Sequence, residues 1–158
     1  MKRPSLSYPE VSLTEFQRRD LSKLSGKNAI IYPAKITFGD FWAEVDNLAT
    51  SLAKVGVKKG DRVCLLEWSS PEFQVAFNAV VQAGGILVPL SPMSKEMEIK
   101  FVINDTSAET VVVRDELYPK VKNVLISAPS LKRVVVIGES PPGTLSFERL
   151  TMEQRTNP

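Results

Sequence analysis

The most regular pattern of apolar and polar residues lies in residues 70–92. It predicts a helix beginning after Ser70, because Ser70 is a suitable N-cap, Pro71 suits the first turn and Glu72 favours the positive end of the helix dipole. Apolar side chains recur at the spacing of one buried helix face, and polar side chains fall on the other face. The predicted buried positions are Phe73, Ala76, Phe77, Val80, Val81 and Gly84, and the predicted outward positions are Gln74, Asn78 and Gln82.

A glycine pair and an apolar run follow this helix. Gly84 and Gly85 are expected to end it, because glycine adopts the left-handed conformation of a helix C-terminus at little cost. Residues 86–90 contain no polar side chain, which predicts a strand covered on both faces, as in the parallel sheets of α/β proteins. A capped helix, a glycine stop and a buried strand together form half of a doubly wound unit.

The same alternation continues along the chain. Thr37 is predicted to cap a helix that buries Phe41, Val45, Leu48, Leu52 and Val55, and further helices are predicted after Ser94 and near Pro119. Apolar runs predict strands near residues 62–67, 86–90, 110–113 and 133–137, and a hairpin from 29–32 and 36–38. Because each helix must cover one face of a sheet, the predicted fold class is α/β, a three-layer α/β/α sandwich with a mostly parallel sheet.

The same pattern predicts how the chain is divided into segments. Before the first predicted strand, Ser12 or Thr14 is expected to cap a short helix that Phe16 anchors. After the last one, a proline-rich joint precedes three apolar residues available to dock, which are Leu145, Phe147 and Leu150. The predicted division is an N-terminal extension (1–28), an α/β domain (29–138) and a linker or edge segment (139–158).

Composition narrows the functional classes. With 158 residues, 43% apolar and 24% charged, the chain has the composition of one ordinary soluble domain. The net charge is +2, from 20 basic and 18 acidic residues, and the lysines are scattered, which argues against nucleic acid binding. No apolar run reaches the roughly 20 residues of a transmembrane helix, and no signal core follows the N-terminus, so we expect a cytoplasmic protein without a membrane span.

Two features of composition restrict the chemistry. The chain contains no histidine, which excludes histidine-based metal sites and Ser-His or Cys-His catalysis. Its single cysteine, Cys64, lies in an apolar run, so no internal disulfide can form and a buried, unreactive thiol is the favoured interpretation.

Candidate site residues follow the strands, because open α/β sheets bind ligands outside the carboxyl ends of their strands. These positions are Glu67 to Ser70, Ser91 to Ser94, Arg114 to Glu116 and Gly138 to Ser140. Glu67 beside Trp68 is a candidate for a carboxylate with a raised pKa, although a partly exposed strand-end charge is the favoured interpretation.

The other candidates have structural explanations. Helix capping accounts for Ser70 and Ser94. Asp115 and Glu116 form an acidic pair without a third metal ligand, which favours a solvated loop. A phosphate loop needs glycines after a strand and before a helix, whereas Gly84 and Gly85 follow a helix. The residues alone therefore predict an α/β domain without an assembled active site.

Two stretches of the chain nevertheless resemble the acyl-adenylate-forming enzymes, which include acyl-CoA synthetases, luciferases and peptide-synthetase adenylation domains. Residues 36–41 and 56–63 resemble that family's T-Y-x-E-L helix and G-V-x-x-G-D-x-V turn, with Phe38 in place of the usual Tyr and Phe41-Trp42 in place of Glu-Leu. Residues 70–90 end in A-G-G-I-L-V-P-L, which resembles the family's A-G-x-x-x-V-P-L element. The likeness covers roughly residues 8–138.

This resemblance implies the N-terminal portion of a longer enzyme, most similar to a fatty-acid CoA synthetase. Such an acid–thiol ligase, of long- or medium-chain specificity, joins a carboxylate to coenzyme A and converts ATP to AMP and pyrophosphate. The family's phosphate loop, magnesium-binding glutamate, ribose-binding aspartate and C-terminal lysine are not found in this sequence. The resemblance thus assigns no catalytic, cofactor-binding or metal-binding residue here, and ATP, magnesium and coenzyme A are expected to bind the longer enzyme and not this chain.

The implied partners are the remainder of the same polypeptide and a small-molecule carboxylate. The chain by itself is expected to self-associate through apolar side chains that have lost their cover, with Trp42 and Trp68 as the aromatic candidates. Two alternatives stay open. One is another adenylate-forming enzyme, such as a peptide-synthetase adenylation domain, and the other is a free-standing flavodoxin-like binding module.

Overall fold

The structure is a computed structural model that describes residues 9–19, 21–31 and 35–152. The helices are α1 (Leu13–Arg18), α2 (Phe38–Lys54), α3 (Pro71–Gln82), α4 (Glu96–Thr106), α5 (Tyr118–Val124) and α6 (Phe147–Met152). The strands are β1 (Asn28–Ile30), β2 (Ile36–Thr37), β3 (Arg62–Leu66), β4 (Ile86–Leu90), β5 (Thr110–Arg114), β6 (Arg133–Ile137) and β7 (Leu145–Ser146). Short 3₁₀ turns occupy Ser22–Leu24, Asp115–Leu117 and Leu125–Ser127.

A parallel five-stranded sheet forms the middle of the molecule. Its strands lie in the order β4-β3-β5-β6-β7, and Cys64 on β3 pairs with Val88 on one side and Val111 on the other. Every neighbouring pair in this sheet is parallel. The four predicted strands and their direction are therefore confirmed, and β7 adds a fifth. The small β1–β2 pair is antiparallel, as the predicted hairpin requires, although residues 32–34 between them lie outside the described residues.

Helices cover both faces of this sheet, because alternate strand residues point to opposite sides. Val63 and Leu65 of β3 enter a core with α2, α3 and α6, whereas Cys64 and Leu66 enter a second core with α4 and α5. All four side chains are fully buried. The three-layer α/β/α sandwich is thus confirmed.

Side-chain hydroxyl groups cap the N-termini of three helices. The backbone N–H of Phe73 donates to Ser70 Oγ at 3.1 Å, and that of Asp40 donates to Thr37 Oγ1 at 3.1 Å. Ser12 caps α1 in the same way through the N–H of Glu15 at 3.2 Å. These hydroxyls satisfy N–H groups that have no partner within the helix, so the predicted starts are confirmed.

The start of α4 differs from the prediction. Its N-cap is Lys95, not Ser94. The backbone N–H of Lys95 donates to the carboxylate of Glu98 at 2.7 Å, while Ser94 lies in the preceding turn and donates its own N–H to the carbonyl of Ser91. A carboxylate three residues into the helix therefore fixes this end, where a serine hydroxyl was expected to do so.

Three burial predictions were wrong for reasons of tertiary position. β4 is the edge strand of the sheet, so Ile86 is 52% exposed, although its apolar run predicted cover on both faces. Asn78 was assigned to the outer face of α3 but is only 5% exposed, because α1 also packs against this helix. Phe16, the predicted anchor of α1, is 52% exposed, and Thr14 is the buried residue there.

The chain after residue 138 adds to the sheet and to one helical layer. Leu145 of β7 pairs with Val135 of β6, and Phe147 and Leu150 are buried in the core that contains α2. This confirms the predicted docking of these three apolar residues. The division of the chain at residues 28 and 138 remains a prediction.

Within the part of the chain that the structure describes, no helix is long and apolar enough to cross a membrane.

Candidate functional site

The strand order places a topological switch point between β3 and β5. The chain passes from β3 to β4 on one side of the sheet and then returns to β5 on the other side of β3. In open α/β sheets the crevice at such a point, outside the carboxyl ends of the strands, is where ligands bind. The residues found there are Glu67, which follows β3, and Arg114, which ends β5.

Glu67 and Arg114 form an ion pair across this crevice. Arg114 Nε donates to Glu67 Oε1 at 3.1 Å and to Oε2 at 2.9 Å, and Arg114 Nη2 donates to Oε1 at 3.0 Å. The same Nη2 lies 3.2 Å from Oε2 of Glu72 in the first turn of α3. The Glu67 side chain is fully buried, while that of Arg114 is 23% exposed. Arg114 therefore ties the ends of two strands to the start of a helix.

Burial and pairing act in opposite directions on these two groups. Burial raises the pKa of Glu67, because an ionised carboxylate loses its hydration there, and the hydrogen bonds and charge of Arg114 offset part of that rise. Burial alone would lower the pKa of Arg114, but its contacts with Glu67 and Glu72 outweigh that effect, so its pKa is raised. Arg114 therefore stays charged and serves as the counter-ion that the buried carboxylate needs.

The interpretation of Glu67 as a partly exposed charge was wrong. The residue is 3% exposed. Its partner lies 47 residues further along the chain, and the parallel pairing of β3 with β5 brings the two together. The available signal was a lone acid after one buried strand and a lone arginine at the end of another, which do not by themselves reveal that the strands are neighbours.

The predicted acidic pair joins the surrounding loops. Asp115 accepts the backbone N–H of Glu116 at 2.7 Å and that of Glu139 at 2.9 Å, and these hydrogen bonds, chiefly the one from Glu139, lower its pKa. A Cβ atom at Gly138, where φ is +97°, would overlap the Asp115 carboxylate, so glycine permits this close approach. The indole N–H of Trp68 donates to the carboxylate of Glu116. Asp115 and Glu116 thus act as acceptors for neighbouring loops.

The loop after β4 is also held by its own contacts. Lys120 Nζ donates to the carbonyls of Pro92 at 2.8 Å and Ser94 at 3.1 Å. Ser91 Oγ accepts the N–H of Met93 at 3.2 Å. Ser140 Oγ, at the end of the fourth predicted segment, is buried without a hydrogen-bond partner among the described residues.

These residues do not fit the phosphates of ATP or a magnesium ion. At this edge of the sheet, Arg114 is engaged by carboxylates and Lys120 by backbone carbonyls. The neighbouring side chains carry negative charge, which repels a triphosphate; they are Glu67, Glu72, Asp115, Glu116 and Glu139. Among the described residues, no three groups of the metal-ligating types cluster together. At the switch point itself, an internal ion pair joins the ends of β3 and β5.

Cys64 offers no nucleophile to this edge. Its side chain is fully buried, and burial raises the pKa of the thiol to about 11. Because the thiolate is the reactive form, a thiol in this environment is unreactive at neutral pH. The predicted inert cysteine is consistent with this burial.

The sequence and the fold of this chain are both similar to those of known proteins. Residues 17–156 match the sequence model of a family described as AMP-binding enzyme. The chain belongs to the AMP-binding enzyme family. One relative of this chain is a long-chain-fatty-acid–CoA ligase of Bacillus subtilis, which is 30% identical over 116 residues, or 73% of this chain and 21% of the ligase.

Two solved structures show the same arrangement. An anthranilate CoA ligase in complex with anthranoyl-AMP matches with a TM-score of 0.85 at 28% identity, over 91% of this chain and 27% of that one. A long-chain-fatty-acid–CoA ligase from Archaeoglobus fulgidus matches with a TM-score of 0.84 at 28% identity, over 96% of this chain and 31% of that one. The chain thus spans between a fifth and a third of the length of these three proteins.

Proposed function

We propose that this chain is the N-terminal part of an ATP-dependent acyl-CoA synthetase. The complete enzyme joins a carboxylate to coenzyme A and converts ATP to AMP and pyrophosphate. The family match over residues 17–156 carries this proposal, because it spans nearly the whole chain and the three similar proteins described above are named as CoA ligases. Family membership also favours this proposal over a free-standing flavodoxin-like module.

Within that enzyme, the chain acts as scaffold. Glu67 and Arg114 pair with each other at its switch point, and Lys120 near this edge already donates to backbone carbonyls. The groups that bind ATP, magnesium and coenzyme A therefore belong to the remainder of the polypeptide, which is the main partner of this chain. We assign no catalytic residue to residues 1–158.

The proposed substrate class is a fatty acid, and the proposed location is the cytoplasm. Two of the three relatives described above are named as long-chain-fatty-acid–CoA ligases, one bacterial and one archaeal. The anthranilate ligase shows that an aryl carboxylate is the competing class. Chain length and the choice between fatty and aryl acids depend on an acyl pocket that lies outside these residues.

The test is an assay of the protein produced from the complete reading frame. Purified protein is incubated with magnesium, ATP, coenzyme A and one member of a panel of fatty and aryl acids, and AMP, pyrophosphate and thioester are each quantified. The proposal predicts equal amounts of all three with at least one fatty acid. Pyrophosphate exchange without any thioester would favour a peptide-synthetase type of adenylation domain. Absence of carboxylate-dependent exchange with every acid would contradict the proposal.

A further inference from the structure

A cleft lies between α1, β1, α2 and α3, and none of the strand-end residues described above lines it. Its volume is about 360 Å³, which is within the usual range of small-molecule sites. Apolar and aromatic residues that line it include Ile30, Phe38, Phe41 and Trp42. Three amide side chains, Gln17, Gln74 and Asn78, also line it, and no charged side chain contributes to its wall.

Three polar atoms on this wall have no partner. Gln17 Oε1, Trp42 Nε1 and Asn78 Oδ1 are each buried and make no hydrogen bond within the described residues. The amide orientation of Asn78 is fixed, because its Nδ2 donates to the carbonyl of Gln74 at 2.8 Å and leaves Oδ1 as the free acceptor. The residue is only 5% exposed. Buried polar groups in native proteins are nearly always satisfied, so three orphans on one wall need a common explanation.

The indole ring of Trp42 is held in place by two neighbouring side chains. The guanidinium carbon of Arg18 lies 4.3 Å from the ring centroid, and the ring of Phe41 meets it edge-on at 5.2 Å. Arg18 is itself fixed by Asp46 at 2.6 Å, and Asp46 also accepts from Gln82 Nε2 at 2.7 Å. The ring that carries the unpaired N–H is therefore rigid, as expected of a group that orients a ligand.

We propose that this cleft binds a small neutral molecule with an aromatic or branched apolar body and one amide or hydroxyl group. Such a group accepts from Trp42 Nε1 and donates to Asn78 Oδ1 or Gln17 Oε1, so it satisfies both kinds of orphan atom. A carboxylate would leave the two carbonyl oxygens unpaired and repel them, and an ammonium group would leave the indole N–H unpaired. The ligand is therefore chemically distinct from the carboxylate substrate of the proposed enzyme.

The test uses benzamide as the probe and the isotopically labelled 158-residue chain. The two indole N–H signals are followed by ¹H–¹⁵N NMR up to 20 mM benzamide, and Trp68→Phe assigns them. We expect a saturable shift of the Trp42 signal with a Kd on the order of 1 mM, as suits a ligand of about nine heavy atoms. The Trp68 signal, whose N–H already bonds Glu116, should not move. A Trp42 signal that stays unchanged at 20 mM in folded protein would overturn the proposal.

Two variants and a second probe test the hydrogen-bond assignment. Asn78→Leu and Gln17→Leu each remove one hydrogen-bond acceptor, and the double variant is expected to bind benzamide at least tenfold more weakly than the parent. The control Asn123→Leu, at an exposed position, should bind benzamide as the parent does. Thermal melting confirms that each variant is folded, and either single variant serves if the double variant is not. Toluene, which has no polar group, should bind at least tenfold more weakly. Equal binding of toluene, or of the folded variants, would contradict the proposal.

Discussion

The guanidinium of Arg114 forms a bidentate ion pair with the buried carboxylate of Glu67, with Nε 2.9 Å from Oε2 and Nη2 3.0 Å from Oε1. The two residues meet at the switch point of the sheet, where α/β proteins usually bind a ligand. Here the crevice holds two residues of the chain itself. The ion pair ties β3 to β5 at their carboxyl ends and, through Glu72, to the start of α3.

Removing one partner of this pair should destabilise the fold. Glu67→Gln is expected to lower the free energy of unfolding by about 2–3 kcal/mol, because it removes the main counter-ion of a largely buried arginine, which keeps only Glu72. Urea denaturation at neutral pH measures this change. Glu109→Gln, which breaks an exposed pair with Lys132 and a longer contact of 3.4 Å with Arg133, is the control and should cost less than about 1 kcal/mol.

A double variant tests whether the cost comes from the unpaired charge. Glu67→Leu combined with Arg114→Met replaces the pair by apolar side chains and should recover most of the loss, because a buried charge no longer lacks its partner. If the double variant is less stable than Glu67→Gln, or if Glu67→Gln behaves like the Glu109 control, the pair does not have the role described here.

Local pattern predicted most of the secondary structure of this chain, for clear physical reasons. Ser70 and Thr37 cap their helices through residues only three positions away, so the signal lies within one turn of sequence. The burial of Ile86 and Asn78 was mispredicted, because it depends on which elements are neighbours: β4 lies at an edge, and α1 covers part of α3.

The sequence predicted where the candidate site lies, but not that its two residues pair with each other. The rule that ligands bind at strand ends singled out Glu67 and Arg114 separately, whereas their pairing required the strand order. The cleft around Trp42 gave no sequence signal, because its wall combines residues of four elements that are up to 61 positions apart, from Gln17 to Asn78. Apolar residues in that wall are indistinguishable in sequence from ordinary core residues.

Asp115 should make stability depend on acid pH. The hydrogen bond from Glu139 lowers the folded-state pKa of Asp115 below its usual 3.8, so the unfolded chain takes up this proton first as the pH falls. The stabilisation is therefore fully present above about pH 4 and is lost as the pH falls through the folded-state pKa. Asp115→Asn should melt at a lower temperature than the parent at pH 6, and the difference should narrow towards pH 3. A difference that is constant from pH 3 to pH 6 would contradict this assignment.

Cys64 should resist modification in the folded chain. With a pKa of about 11 in place of the usual 9.0, its thiolate fraction at pH 8 is about 100-fold lower than that of a free thiol, and burial blocks access as well. Labelling with a thiol-specific reagent such as DTNB should therefore be at least about 100-fold slower than labelling of the same chain in 6 M guanidinium chloride. Rapid labelling of native protein would show that β3 is accessible.

The contact between α6 and α2 should depend on a buried hydroxyl. Ser51 Oγ donates to the carbonyl of Leu150 at 2.8 Å, and both the serine and the contact are buried. Ser51→Ala leaves that carbonyl unsatisfied and should cost about 1–2 kcal/mol in urea denaturation. Thr50→Ala on the exposed face of the same helix is the matched control, with an expected change below about 0.5 kcal/mol. Equal losses in the two variants would show that the hydrogen bond from Ser51 to Leu150 does not stabilise the fold.

The direct test of the scaffold role is isothermal titration calorimetry of the folded 158-residue chain with ATP and magnesium. Circular dichroism and a cooperative melting curve first establish that the chain is folded. Because Arg114 and Lys120 at the carboxyl edge of the sheet already have partners and acidic side chains surround them, we predict no saturable heat up to millimolar ATP. A saturable isotherm with a Kd below about 10 μM, or roughly −7 kcal/mol, would show that these residues contain a nucleotide site and would contradict the scaffold role.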